Sequence, residues 1–136
     1  MRHNVQTRWQ RQDGQSLLET AIVIPLIFMV VFFVFELGWL MYTYTVMADA
    51  VNEGVRYAMV HAGGDVAGTQ AKVKAFAGTS LHNVTAVSPA VTFPDGTAAP
   101  PNRVRVTVTY TYIPYLPKFI TAPTMKTYAE GRMVVQ

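Results

Sequence analysis

The chain has 136 residues, 51% of them hydrophobic, a net charge of +3 and no cysteine, which is room for one small domain. The missing cysteines exclude a disulfide framework, a thiolate zinc site and a thiol nucleophile. The basic residues are scattered and leave no nucleic-acid footprint. The first fourteen residues set Arg2, Arg8 and Arg11 against one acid, Asp13. Positive flanks stay in the cytoplasm, so this leader (residues 1–14) is expected inside and the chain beyond residue 47 outside. From Ala21 to Phe35 no residue is charged, and Glu36 is the only charge between Ala21 and Met47. A helix needs about 20 residues to cross a hydrocarbon core, so residues 15–46 are expected to form a transmembrane helix.

Three readings compete for this segment. A secretory signal would be cut after Ala48-Asp49-Ala50, but its apolar core is usually 7–15 residues long, about half the run seen here. A plain signal anchor would use Ser16-Leu17-Leu18-Glu19 as a capping box, with Ser16 and Glu19 exchanging hydrogen bonds at the helix start. The carboxylate would also suit the positive end of the helix dipole. Neither explains why a short basic leader ends in Gly14, why Glu19 is the fifth residue beyond it, and why an apolar helix follows at once. That arrangement resembles the leader of type IV pilin-like proteins. With Pro25 in ETAIVIP, FELG at 35–38 and NEGVRYA at 52–58, the chain resembles the TadE-like family, minor pilins or pseudopilins of the Tad (Flp) tight-adherence pilus system. The resemblance implies cleavage between Gly14 and Gln15 by a prepilin peptidase, with the membrane and other pilin-like subunits as partners. Cleavage would free an α-amino group on Gln15, one helical turn from Glu19. Glu19 is expected to neutralise that amine or the amine of a neighbouring subunit. In pilins, the resemblance implies, the cross-subunit pairing sets register during assembly.

Two further residues mark the apolar helix. Pro25 removes one backbone hydrogen bond and is expected to kink it. Glu36, about 26 Å beyond Glu19 along a helix, reads either as a snorkelling acid near the outer headgroups or as an intramembrane or interfacial helix contact. Trp39, Tyr42 and Tyr44 follow it as an interfacial belt. Met47, Val51, Val55, Ala58 and Ala62 then recur at helical spacing, an amphipathic continuation ended by Gly63-Gly64. A short helix is expected over 69–77, ending at Gly78. Beyond it the period becomes two, with strands expected at 83–93, 103–113 and 124–135. In the middle one, Val104, Val106, Val108, Tyr110 and Tyr112 alternate with Arg103, Arg105, Thr107, Thr109 and Thr111. PDGTAAPPN (94–102) is a turn-rich loop, and IPYLP (113–117) joins the last two strands. The expected fold is α+β, with the long helix packed on a small antiparallel sheet in the extracytoplasmic domain 47–136, and this plan is also what the pilin resemblance implies.

No residue set points to catalysis. His3, His61 and His82 lack metal-ligand spacing. Asp65 and Glu130 are isolated, and Asp95-Gly96-Thr97 suits a turn rather than a calcium loop. Asn83-Val84-Thr85 matches a glycosylation acceptor, and Gly63-Gly64-Asp65 lacks a phosphate-loop context. The expectation is a non-enzymatic pseudopilin-like subunit without cofactor, metal, nucleic acid or small-molecule substrate. It would span the bacterial inner membrane once, N-terminus in the cytoplasm, and support pilus assembly and surface adhesion. The alternative is a membrane-anchored extracytoplasmic binding module with an uncleaved anchor, working through its sheet and the 94–102 loop.

Overall fold

The computed structural model describes residues 6–61, 64–115 and 121–134, with side chains from Gly14 onward. Element order is α1 (Gln6–Val60), α2 (Val66–Gly78), a 3-10 turn (Val84–Ala86), β1 (Val87–Thr92), β2 (Arg103–Thr111) and β3 (Thr124–Arg132), an α+β fold. The chain divides into two compact units, one ending at Leu37 and one beginning at Gly38.

In the first unit, α1 is already helical at Gln6. Nothing between Gln6 and Gly14 breaks a helix, and one glycine costs only about 1 kcal/mol in a helix interior. The capping box is therefore not formed. Ser16 lies well inside the helix, and its carbonyl accepts a hydrogen bond from Thr20 Oγ1 at 2.9 Å. From Leu17 to Phe35 every large hydrophobic side chain is exposed, between 42% and 71%. A helix apolar on all sides, uncovered by any of the described residues, is suited to lipid or to a packed bundle of like helices. The segment is long and apolar enough to cross a membrane.

In the second unit α1 becomes striped. Thr43, Val46, Met47, Ala50, Val51, Val55 and Ala58 are buried, at the three- and four-residue steps that define one helix face. The amphipathic continuation read from the sequence is present, although Ala62 and Gly63 lie outside the described residues. The stripe covers the inner face of an antiparallel sheet of order β1-β2-β3. Val104, Val106, Val108, Tyr110 and Tyr112 are at most 2% exposed and form the sheet's share of the core. Helix and sheet approach closely enough that a β carbon on Gly131 would sit 2.6 Å from Val55 Cγ1.

The second helix begins three residues earlier than expected because Asp65 caps it. The Asp65 Oδ1 atom accepts the Gly68 N–H at 2.8 Å, satisfying a donor that a helix start would otherwise leave free. The first strand begins later than expected. Thr85 Oγ1 donates to Asn83 Oδ1 at 2.6 Å, and the Ala86 N–H bonds Asn83 O, so local bonds draw residues 84–86 into a turn. The second strand stops at Thr111, where the Tyr112 N–H turns to Pro123 O. The third stops at Arg132, because the Met133 N–H bonds Asn102 O and the Val134 N–H bonds Met59 O. Leu116, Pro117 and Val135 lie outside the described residues. On the β1 edge, Pro89 has no N–H to offer, and its carbonyl accepts from Gln70 Nε2 at 3.2 Å.

Candidate functional site

The residues singled out at the N-terminus share the first unit but not one spot. Gly14, Gln15 and Glu19 are exposed on α1, and the Gly14 backbone has open space where a side chain would project. Of the leader, the side chains of residues 1–13 lie outside the described residues. Glu19 is one turn beyond Gln15, about 6 Å along the axis. Pro25 lies within α1, which runs through it as a helix, although the carbonyl four residues before it, on Ala21, has no N–H from Pro25 to accept. Glu36 is about 26 Å beyond Glu19 along the helix axis, and it is only 4% exposed. The two acids therefore belong to different environments.

Beyond Glu36, Trp39 is half-buried and meets Tyr42 at 5.3 Å and Tyr115 at 6.0 Å between ring centres. Tyr42 and Tyr44 are exposed. His82 lies 6.2 Å from the Tyr115 ring, whereas His61 stacks on Tyr57 at 3.8 Å. The two histidines thus serve different aromatic partners. Among the described residues, no group of three or more His, Asp or Glu side chains is placed to hold a metal ion.

Sequence reading left Asp65 and Asp95 as loop acids, and the structure gives each a partner. Asp65 caps α2 and also accepts the Tyr57 hydroxyl at 3.0 Å, joining the end of α1 to the start of α2. The Gly68 N–H, and then the Tyr57 hydroxyl, hold its carboxyl below the usual range. The Tyr57 phenol is raised, chiefly by that same bond to Asp65. An aspartate before an apolar periodic run is a helix-start signal, so this role was legible. Asp95 accepts both the Arg103 N–H and the Arg103 guanidinium, each at 2.8 Å. Hydrogen bonds from the guanidinium first, then from the backbone, bring its carboxyl down to about 2. Arg103 also meets Glu130 at 3.5 Å, and Glu130 pairs with Arg105. The outer sheet face therefore carries a chain of alternating charge, Asp95–Arg103–Glu130–Arg105. The alternation in β2 predicts that Arg103 and Arg105 share that face, but the register that brings Glu130 opposite Arg105 is a tertiary fact.

No curated protein and no solved structure matches the chain. A family model, described as TadE-like protein, matches residues 14–56. That span opens on Gly14, contains Glu19, Pro25 and Glu36, and ends within the buried stripe of α1. Residues 14–56 are thus similar to the TadE-like family, and the helix they occupy is long and apolar enough to cross a membrane.

Proposed function

We propose that this chain is a non-enzymatic pseudopilin-like subunit that supports assembly of a Tad-type pilus and, through it, surface attachment. The observation that carries the reading is the spacing of Gly14 and Glu19 just before the apolar stretch of a helix whose large hydrophobic side chains are all exposed through Phe35. Such a helix is at home both in a bilayer and in the core of a helical filament, because neither environment asks it for a polar face. The subunit would sit in the inner membrane with its N-terminus in the cytoplasm. A prepilin peptidase would cut between Gly14 and Gln15, a point exposed on α1.

Cutting there changes the chemistry of Glu19. In the intact chain Glu19 is an exposed carboxylate in the middle of a helix. After the cut it stands one turn from a new α-amino group, or within reach of the amine of a neighbouring subunit. A carboxylate entering an apolar assembly is costly without a cation beside it, so pairing with an amine favours the assembled state over misaligned ones. Pro25 and Glu36 would then act in packing of the helix, the first as a kink and the second as a contact.

Mass spectrometry of the chain isolated from its native cells tests this reading. A mature chain beginning at Gln15 is the expected result. An intact leader in cells with an active prepilin peptidase overturns it in favour of a plain anchor carrying a binding domain, and a chain beginning at Val51 makes it a secreted protein.

A further inference from the structure

The outer sheet face carries a feature that neither the anchor nor assembly through α1 explains. In the β2–β3 register Arg105 faces Glu130, Thr107 faces Tyr128 and Thr109 faces Lys126. On the other side of β2, Ser88 and Ala90 stand beside Thr109 and Thr107. Short side chains in the middle and long ones along Arg105 and β3 leave a shallow depression of about 400 Å³, lined by Arg105, Thr107, Lys126 and Tyr128. That volume suits one ring-sized chemical unit.

The lining is chemically uneven. Arg105 is held by Glu130, and its guanidinium lies 5.4 Å from the Tyr128 ring centre, so the wall it forms is fixed and its charge is already balanced. Tyr128 is 65% exposed and offers an aromatic face. Lys126, on β3 at the end of the depression away from Arg105, has neither hydrogen bond nor ion pair among the described residues. Thr107 supplies a hydroxyl on the floor.

We propose that this depression binds a carboxylate-bearing sugar unit of an acidic polysaccharide. The unpaired Lys126 ammonium takes the carboxylate, the Tyr128 ring packs against the C–H face of the sugar, and the Thr107 hydroxyl bonds a ring hydroxyl. Charge complementarity selects an anion, and the single unpaired cation selects one of low charge density. A nucleic-acid strand needs a track of free cations along its phosphates. Here Asp95 and Glu130 neutralise Arg103 and Arg105 and interrupt any such track. This inference goes beyond the assembly role and does not depend on leader cleavage.

The test uses the full chain in detergent and a fluorescent short oligogalacturonate, read by anisotropy. Saturable binding that weakens with added salt is expected, with little binding of a neutral maltooligosaccharide or a single-stranded oligonucleotide of equal length. Lys126→Glu should abolish binding, and Tyr128→Ala should weaken it at least about fivefold. Both residues are exposed, so unchanged melting of the variants separates lost binding from lost folding. The control Lys74→Ala, on α2, should bind as the parent does. No saturable binding, equal binding of the neutral sugar or the oligonucleotide, unchanged affinity in both sheet variants, or an equal loss in Lys74→Ala overturns the proposal.

Discussion

The contact between α1 and α2 at Gly54 makes a prediction in which two opposing effects can be weighed. A β carbon on Gly54 would overlap Val73 Cγ2 on α2 and lie 3.4 Å from Val106 Cγ1 on β2. Both valines are fully buried, so neither can swing aside into solvent. Gly54→Ala gains about 1 kcal/mol of helix propensity. Forcing a methyl into a filled core costs about 1–3 kcal/mol, so the overlap wins and the net loss is about 1 kcal/mol. Val73→Ala removes two buried methyls, about 1.6 kcal/mol of transfer energy plus a cavity term, or about 2 kcal/mol in all. If the two changes were independent, the double variant would lose about 3 kcal/mol. In the double variant, however, the new methyl enters the space that Val73 vacates and the helix gain is kept, so its stability should return to within about 1 kcal/mol of the parent. The coupling, about 2 kcal/mol, is within the range for residues in direct contact. Thermal melting of the four full-length proteins in one detergent measures it, since 1 kcal/mol moves Tm by about 4–8 °C in a domain of this size. Additive losses, or a Gly54→Ala variant that melts above the parent, would refute the packing argument.

Three further outcomes follow from other parts of the molecule. Glu19→Ala should leave membrane insertion intact, because it removes a charge from an apolar helix, and should block incorporation into the pilus; cell fractionation and filament yield report the two effects separately, and normal filaments would sink the pairing role. The Asp95 carboxyl lies at about 2 in the folded chain against an ordinary 3.8, so its stabilisation is fully present above pH 4 and is lost as pH falls toward 2; Asp95→Asn should lower Tm at pH 6 by an amount that closes between pH 4 and 2, and a pH-independent gap would contradict the ion pair. Val106→Ala, at a fully buried position, should cost about 2 kcal/mol, whereas Thr109→Ala on the outer face should change stability by less than about 0.5 kcal/mol; equal effects in denaturant titrations would mean the faces of β2 are assigned the wrong way round.

Periodicity carried most of what could be read before the structure. Alternation alone put Val104 through Tyr112 on the inner face of β2, because successive strand residues must point to opposite sides. The three- and four-residue steps from Met47 to Ala58 placed the stripe of α1 in the same way. What periodicity missed was local bonding and register. The Asn83 and Thr85 side chains take residues 84–86 out of the strand, and a backbone bond to Met59 helps end β3 at Arg132. Asp65 begins α2 earlier than its apolar residues suggested. The same limit applies at the N-terminus: Ser16 and Glu19 fit a capping box by spacing, but a cap exists only where a helix starts, and α1 starts upstream. Glu36 reads from the sequence either as a snorkelling acid or as a helix contact, and its burial depends on packing that sequence spacing alone does not specify. On the outer face the charges themselves were plain to read, but their order along the sheet depends on a β2–β3 register that no single strand encodes.

The two borders of the sheet differ in a way that limits how copies can join. At β1, Pro89 removes a donor and Gln70 occupies the acceptor beside it; at β3, none of the backbone groups of Thr124–Arg132 bonds outside its own strand pair among the described residues. Copies of the sheet set side by side in the same orientation would bring the β3 border of one against the β1 border of the next. That junction lacks a hydrogen bond at Pro89 and meets a side chain from α2. The sheet therefore has a built-in stop on one side. Strand pairing between copies cannot pass through the β1 border, and crowded copies do not fuse into a continuous ribbon.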